Sequence, residues 1–161
     1  MITQQELYTH FSYNPLTGLF TRKVASRGHA VGEIAGTPML HGHILIGYKK
    51  QKHLAHRLAW YYVNGSWPQN QIDHINGDPS DNRIINLRES TQAENTQNRR
   101  EASTRSKSGL LGVHWCDRAK KWIAKIMLNK ATKYLGSFDN KEEAFDAYLQ
   151  AKRKLHTFNT I

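Results

Sequence analysis

Residues 72–98, IDHINGDPSDNRIINLRESTQAENTQN, constrain the fold more than any other part of the chain. Asn76, Asn82, Asn86, Asn95 and Asn98 all fall inside this stretch, together with Asp, His and Arg. So polar a peptide has little apolar surface with which to offset the entropy lost on ordering. Yet Ile72, Ile75, Ile84, Ile85 and Leu87 punctuate it, so the segment should fold with its polar groups held in place, as a site requires. QIDHI reads as one strand and IINLRES as a second, joined by the turn-forming NGDPSDN. Thr91 to Glu94 is T-x-x-E, the sign of a helix start, so a helix is expected over TQAENTQNRR. The order is strand, loop, strand, helix.

The flanking sequence has its own punctuation. Thr3 to Glu6 is also T-x-x-E, and Leu7, Tyr8 and Phe11 give a short first helix one apolar face, closed by the turn YNPLTG. From Leu19 to Leu54, β-like runs (LFTRK, HILIGY) alternate with glycines and the polar KKQK, which predicts a small, turn-rich β region. HLAHRLAWYYVNG places Leu54, Leu58, Tyr61 and Tyr62 at helical spacing and ends at Gly65, suited to a helix C-cap. Residues 99–108, RREASTRSKS, contain no apolar residue except one Ala and read as a linker. It is either solvated or laid along a phosphate backbone. Beyond it, LLGVHWC, KWIAKIML and TKYLGSF form three β runs, and a capping signal at Asn140 to Glu143 starts a helix with Ala144, Phe145, Tyr148, Ala151 and Leu155 on one face. Three strands and one amphipathic helix make a minimal two-layer domain.

Charge points to the partner. The formal net charge is +10, which favours a polyanion. Residues 1–96 hold 9 Lys+Arg against 7 Asp+Glu, residues 97–108 hold 4 against 1, and residues 109–161 hold 10 against 5. The excess therefore concentrates after residue 97, as expected for nucleic acid. No apolar run approaches the ~20 residues needed to cross a bilayer, and MITQQELYTHF lacks the pattern of a secretory signal, so a cytoplasmic protein with no membrane partner is expected. Cys116 is the single cysteine, which excludes an intramolecular disulfide and a cysteine-based zinc site.

Phosphodiester hydrolysis needs a water nucleophile, a base and positive charge where negative charge develops. A hard cation supplies that charge and prefers oxygen ligands. Asp73 offers a carboxylate at the end of the first strand, and His74, its neighbour, points to the opposite strand face. Asn95 can bring a second, neutral oxygen to the same metal, and Asn86 can hydrogen-bond near His74 and fix its orientation. Asn76, Asn82 and Asn98 read as turn and backbone-bonding residues. Arg83 and Arg88 suit either phosphate contact or an exposed structural role. His53 and His56 form an i, i+3 pair that no carboxylate or Cys completes, so both read as structural. His10, His29, His41, His43 and His156 carry no signal.

DHINGDPSDNRIINLRESTQAENTQN closely resembles the HNH endonucleases, in particular phage and intron-encoded homing endonucleases with a ββα-metal (His-Me finger) fold. The likeness extends upstream through HRLAWYYVNGSWPQNQ and covers about residues 40–98. It implies His74 as first His and general base, Asn86 as the middle Asn, and Asn95 at the third position in place of the name-giving His. Asp73 and Asn95 would hold one divalent ion, Mg²⁺ or Mn²⁺. An Asn there suits a hard cation better than imidazole does and argues against zinc.

GVHWCDRAKKWIAKIMLNKATKYLGSFDNKEEAFDAYLQAKRKLH resembles the APETALA-type, ethylene-response-factor DNA-binding domain, whose three-stranded sheet enters the major groove with a helix packed behind it. The shared marks are Gly112-Val113, Trp122 with Ala124, Leu135-Gly136 with Phe138, and Glu143-Ala144 followed by Ala147-Tyr148. Strand alternation assigns Trp122, Ala124 and Ile126 to the helix side and Ile123, Lys125 and Met127 to the other. The groove-facing candidates are His114, Arg118, Lys125, Met127, Lys130 and Tyr134. That face is poorer in Arg than in the plant domains, and Lys contacts mainly phosphate where Arg grips guanine.

The sequence therefore predicts an α+β protein in two modules. Residues 1–98 hold a β-rich N-terminal region and an HNH nuclease with its core at 53–98, 99–108 are the basic linker, and 109–161 form an APETALA-like sheet-and-helix domain. The expected function is metal-dependent cleavage of duplex DNA at a specific site by a phage homing endonuclease. The expected chain is monomeric and needs no small-molecule cofactor. Arg83, Arg88, Arg99, Arg100, Arg105, Lys107, His114, Arg118, Lys125, Lys130 and Tyr134 are the expected DNA contacts. Two other classes remain open: a DNA-binding regulator without cleavage, and an RNA-binding or RNA-cleaving protein, for which Trp115 and Tyr134 could stack bases.

Overall fold

Apolar positions two apart in FSYN and LFTR bury Phe11, Tyr13 and Phe20 while Ser12, Asn14 and Leu19 face solvent, the period that a strand imposes. The computed structural model describes residues 2–160 and divides into two compact units, the first ending at Thr91 and the second starting at Gln92.

The first unit opens with helix α1 (Gln4–His10), capped reciprocally by Thr3 and Glu6 as the T-x-x-E pattern requires. Its expected apolar face is shorter than the sequence suggested. Phe11 is already extended, and β1 (Phe11–Asn14) pairs with β2 (Leu19–Arg22) across the PLTG turn. Strand pairing wins there because it buries Phe11 and Tyr13 together against Phe20. The two-residue β3 (Ile34–Ala35) adds to β2. A second sheet joins β4 (Thr37–Pro38), β5 (Ile44–Tyr48) and β6 (Gln51–Leu54). Helix α2 (Ala55–Asn64) ends at Gly65 in the left-handed conformation, as the sequence predicts. It buries Ala55, Leu58 and Ala59 in one core with Ile2, Leu7, Phe11, Phe20, Ile46, Ile72 and Leu87.

The polar stretch closes this unit as an antiparallel ribbon of β7 (Gln71–His74) and β8 (Leu87–Ser90), with Asp73 opposite Arg88 and His74 opposite Leu87. The second strand begins later than IINLRES suggests. Ile84–Asn86 is a single 3-10 turn, so Asn86 sits on that turn rather than on a strand. Closing the turn gives Asn86 N–H a bond to the Arg83 carbonyl and leaves Asn86 side chain free to reach across the loop.

In the second unit, α3 (Gln92–Gln97) comes first and is followed by the basic residues 99–108, which contain neither helix nor strand. They are tied to their own unit. The Arg99 carbonyl accepts from the buried Lys152 ammonium, and Ser108 donates to the Val113 carbonyl at 2.7 Å. Then β9 (Val113–Cys116), β10 (Lys121–Leu128) and β11 (Ala131–Phe138) form a sheet in the order β11-β10-β9. Helix α4 (Lys141–Leu155), capped by Asn140, packs on it and buries Ala144 and Tyr148. Val113, Ala124 and Ala144 form the small core with Trp122, Leu135, Phe138 and Phe145 around them. Ile126 is buried as alternation predicts, but Ile123 is buried too. The opposite face is therefore less open at that position than strict alternation implies, while Lys125 and Met127 are exposed. No described helix is long and apolar enough to cross a membrane.

Candidate active site

The loop between β7 and β8 is a lattice of short side-chain-to-backbone bonds. Asp78 accepts from Ser80 N–H and hydroxyl (2.9 and 2.7 Å), and Asn76 accepts from Asp78 N–H and donates to Asp81 (2.9 and 2.8 Å). These are the turns that Asn, Asp and Ser form by folding onto their own backbone. Asn86 ties the lattice together. Its carbonyl oxygen accepts from Asn76 N–H at 2.9 Å, and its amide donates to Asn76 Oδ1 at 3.0 Å and to the Asp81 carbonyl at 2.8 Å. The orienting bond to His74 expected from Asn86 comes instead from Asn82.

Asn82 is buried, and its Oδ1 lies 3.3 Å from His74 Nε2. Its amide nitrogen donates to the Ser80 carbonyl at 3.1 Å, which turns the oxygen toward the imidazole. An oxygen accepts, so Nε2 carries the hydrogen and Nδ1 the lone pair. The N-terminal hairpin holds this residue from behind. Tyr13 donates its hydroxyl to the Asn82 carbonyl at 2.7 Å, and Gly18 lies against the backbone of Asn82 and Arg83. His74 itself is buried, and burial pushes its imidazole below the ordinary range against the opposing pull of the Asn82 bond. A neutral imidazole with a fixed lone pair can take a proton.

Asp73 is buried beside His74 but makes different contacts. Its Oδ2 is gripped by Arg88 Nε and a terminal guanidinium nitrogen at 2.9 and 2.8 Å. Arg88, expected on phosphate or in an exposed role, is thus half-buried and holds the carboxylate. Arg83 is exposed and forks onto Asp81 at 2.8 and 2.6 Å. Both arginines reach DNA only by sharing or giving up those carboxylates.

Asn95 lies half-buried on α3 in the second unit. Of the remaining expected DNA contacts, Arg99, Arg100, Arg105 and Lys107 are exposed in the basic segment, with Arg100 donating to Thr160 at 2.7 Å. His114, Arg118, Lys125, Lys130 and Tyr134 are exposed on or beside the sheet, and Lys125 stands directly opposite Tyr134 across β10 and β11. Asn98 is buried and accepts from the Thr160 hydroxyl at 2.6 Å.

Two further histidines, which sequence reasoning passed over, approach His74. His43 and His56 have ring centroids 5.7 and 5.0 Å from that of His74, and 5.2 Å from each other. The i, i+3 partner of His56 in sequence was His53, which instead stacks on Trp67. Burial holds His56 down to about 3, with His74 and His43 adding to the effect. The only available signal was the position of His56 in the first turn of α2, on the same helix face as Ala59 three residues on.

The buried carboxylate of Asp73, already oriented by a guanidinium, is an oxygen donor of the kind that hard divalent cations take, so the residues present fit the ion that this class of site uses. Residues 53–97, the span that contains α2, the ribbon, the lattice loop and α3, match the HNH endonuclease family. No curated protein and no solved structure matches the chain. Residues 53–97 are an HNH endonuclease domain, and the protein that carries it is a nuclease, a phosphodiester hydrolase.

Proposed function

We propose that this nuclease is a metal-dependent endonuclease of duplex DNA, with His74 as its general base. The observation that carries the reading is the fixed state of His74: neutral by burial, with Nε2–H held by Asn82 and Nδ1 left with the lone pair. His74 takes the proton from the attacking water as its oxygen bonds to phosphorus and the bond to the departing sugar oxygen breaks. Asn82 keeps the ring turned and shares the positive charge that the imidazolium then carries. Asn86 acts at one remove by holding the 76–81 loop on which Asn82 depends.

Asp73 and Asn95 are the ligands proposed for one Mg²⁺ or Mn²⁺, completing a ββα-metal core of β7, β8 and α3. That ion would stabilise the negative charge that builds up on the phosphate oxygens. Arg88 holds Asp73 in a single orientation and offsets the cost of burying its charge. The C-terminal sheet and helix are proposed as an APETALA-like module that lays His114, Lys125 and Tyr134 against DNA, with Arg99, Arg100, Arg105 and Lys107 on the phosphate backbone. Two weak contacts on one chain gain affinity through effective concentration, an arrangement suited to a phage homing endonuclease.

The test is conversion of supercoiled plasmid carrying candidate targets to open-circle and linear forms in Mg²⁺, Mn²⁺ or EDTA, with wild type beside His74→Ala. Metal-dependent cutting that disappears in the variant is expected, and open circles alone identify a nickase. Undiminished cutting by His74→Ala refutes the assignment of the base. Preferential cutting of RNA refutes the duplex-DNA reading.

A further inference from the structure

A second donor set stands on the other side of His74 from Asp73. His43, His56 and His74 come from three separate elements, the turn before β5, the first turn of α2 and the end of β7, yet one ligand atom from each lies within 4.8 Å of the others. His56 and His74 are buried and His43 is half-buried. The three rings meet edge to face, with interplanar angles of 64, 77 and 88°. Stacked rings would turn their lone pairs apart; this arrangement lets nitrogens converge.

One nitrogen in the cluster has no protein partner. His56 Nδ1 is buried and makes no hydrogen bond. A buried polar atom left unsatisfied is costly and calls for an occupant, here water or an ion. The position of His43 is also built. Met39 N–H bonds the His43 carbonyl at 2.8 Å and Gly42 N–H the Met39 carbonyl at 2.9 Å. That turn seats so closely on Pro79 of the lattice loop that a Cβ on Gly42 would lie 2.7 Å from the proline ring. His43 is therefore presented to the other two, on the side from which an ion could enter.

We propose that His43, His56 and His74 bind one borderline transition-metal ion of the Zn²⁺ class, and that this ion inhibits the nuclease by occupying the lone pair of its general base. Three imidazoles with no carboxylate or thiolate among them suit Zn²⁺ and reject Mg²⁺, which takes oxygen. Zinc–nitrogen bonds of 2.0–2.1 Å in a tetrahedron put ligand nitrogens ~3.4 Å apart, a closure within reach of small side-chain rotations. Three protein ligands leave a fourth position for water. Asp73 and Asp78 lie near enough to His74 to act on its charge and would offset part of the ion's. The inhibitory consequence rests on the proposed role of His74; the binding site does not. Hard and borderline ions thus compete for function at one residue pair, through Asp73 on one side and through His74 on the other.

The probes are Co²⁺ and Zn²⁺ added to the full metal-free chain. One equivalent of Co²⁺ should give the intense visible absorption of a tetrahedral nitrogen site, bleached by one equivalent of Zn²⁺. His43→Gln should weaken Zn²⁺ binding by ~100-fold or more, beyond the 10–100-fold typical of losing only a residue that supports a ligand. His43→Cys should restore tight binding, since a thiolate also ligates zinc, and His41→Gln at the exposed neighbouring histidine should leave it unchanged. In plasmid cleavage supported by Mg²⁺, Zn²⁺ should inhibit the wild type, and His43→Gln should raise the inhibitory concentration by a similar factor while retaining the Mg²⁺-supported rate. Circular dichroism of each variant separates lost binding from lost folding. Absence of one-to-one binding, or equal zinc affinity in folded His43→Gln and wild type, overturns the site. If the cluster binds zinc as stated but saturating Zn²⁺ leaves Mg²⁺-supported cleavage unchanged, the site stands and the assignment of His74 as base falls.

Discussion

Gly18→Ala tests whether the N-terminal hairpin holds the active site. Gly18 has φ of +74°, and a Cβ there would lie 2.5 Å from Arg83 N, 2.6 Å from Asn82 C and 3.0 Å from Asn82 N. An alanine forced into the left-handed region costs about 1–2 kcal/mol. Ordinary van der Waals contact starts at 3.4 Å, so the Asn82–Arg83 peptide must retreat by about 0.9 Å, and overpacking of that kind costs about 1–3 kcal/mol. The sum, about 2–5 kcal/mol, is a large part of the ~5–15 kcal/mol that a domain usually has. Gly28→Ala is the control. Its φ is +79° with nothing within 4 Å, so it should lose only the conformational part, about 1–2 kcal/mol. Urea denaturation of the full chain, followed by an N-terminal-unit probe such as Trp60 and Trp67 fluorescence, measures both. Because Asn82 sets the His74 ring, the same retreat should slow cleavage; a misplacement near 1 Å can cost ~100-fold. Equal losses of stability in the two variants, with unchanged cleavage by Gly18→Ala, would show that the hairpin does not press on the loop and that Asn82 is held by something else.

Asn82→Ala should cost about 1–3 kcal/mol, since it strips a buried bond from His74, and should lower the cleavage rate more than tenfold at unchanged metal dependence. Asn82→Asp keeps an acceptor and adds negative charge, which raises the His74 pKa and moves the acid limb of the pH–rate profile upward; a limb that does not move refutes the contact. Burial holds His56 at about 3 against an ordinary 6.5, so the unfolded chain binds its proton first as pH falls. The stability from this residue is full well above pH 6.5 and declines toward pH 3, with a mean slope of about 1 kcal/mol per pH unit between 7 and 5, where carboxylates stay ionised. Urea midpoints at pH 7 and 5 should show that slope, and His56→Gln should flatten it. On the DNA side, Lys125→Ala, at an exposed position opposite Tyr134, should weaken binding and reduce the slope of log K against log salt by ~0.9. Fluorescence anisotropy at several salt concentrations reads both, and an unchanged slope removes Lys125 from the interface.

Local chemistry made much of this protein legible in one dimension. The T-x-x-E cap at Thr3, the Asn140 cap, the PLTG and NGDPSDN turns and Gly65 at a helix end depend on neighbours within a few residues, so those elements followed from their own sequence. The divergence of Asp73 and His74 was legible for the same reason, because adjacent strand residues point to opposite faces. Local rules failed where two patterns competed over one or two residues. Phe11 fitted a helix face until a strand partner eleven residues on claimed it, and Ile84–Asn86 fitted a strand until the 3-10 turn released Asn86 toward the loop. Tertiary structure alone decided which asparagine faces His74, because Asn82 and Asn86 are chemically identical and differ only in which way the folded loop turns them. It alone brought His43, His56 and His74 together, since they are thirteen and eighteen residues apart in sequence and share no element. A sequence determines what each short segment can form and which side chains can do chemistry. The distances on which proton transfer and metal binding depend are set by packing among segments remote in the chain, where no local period records them.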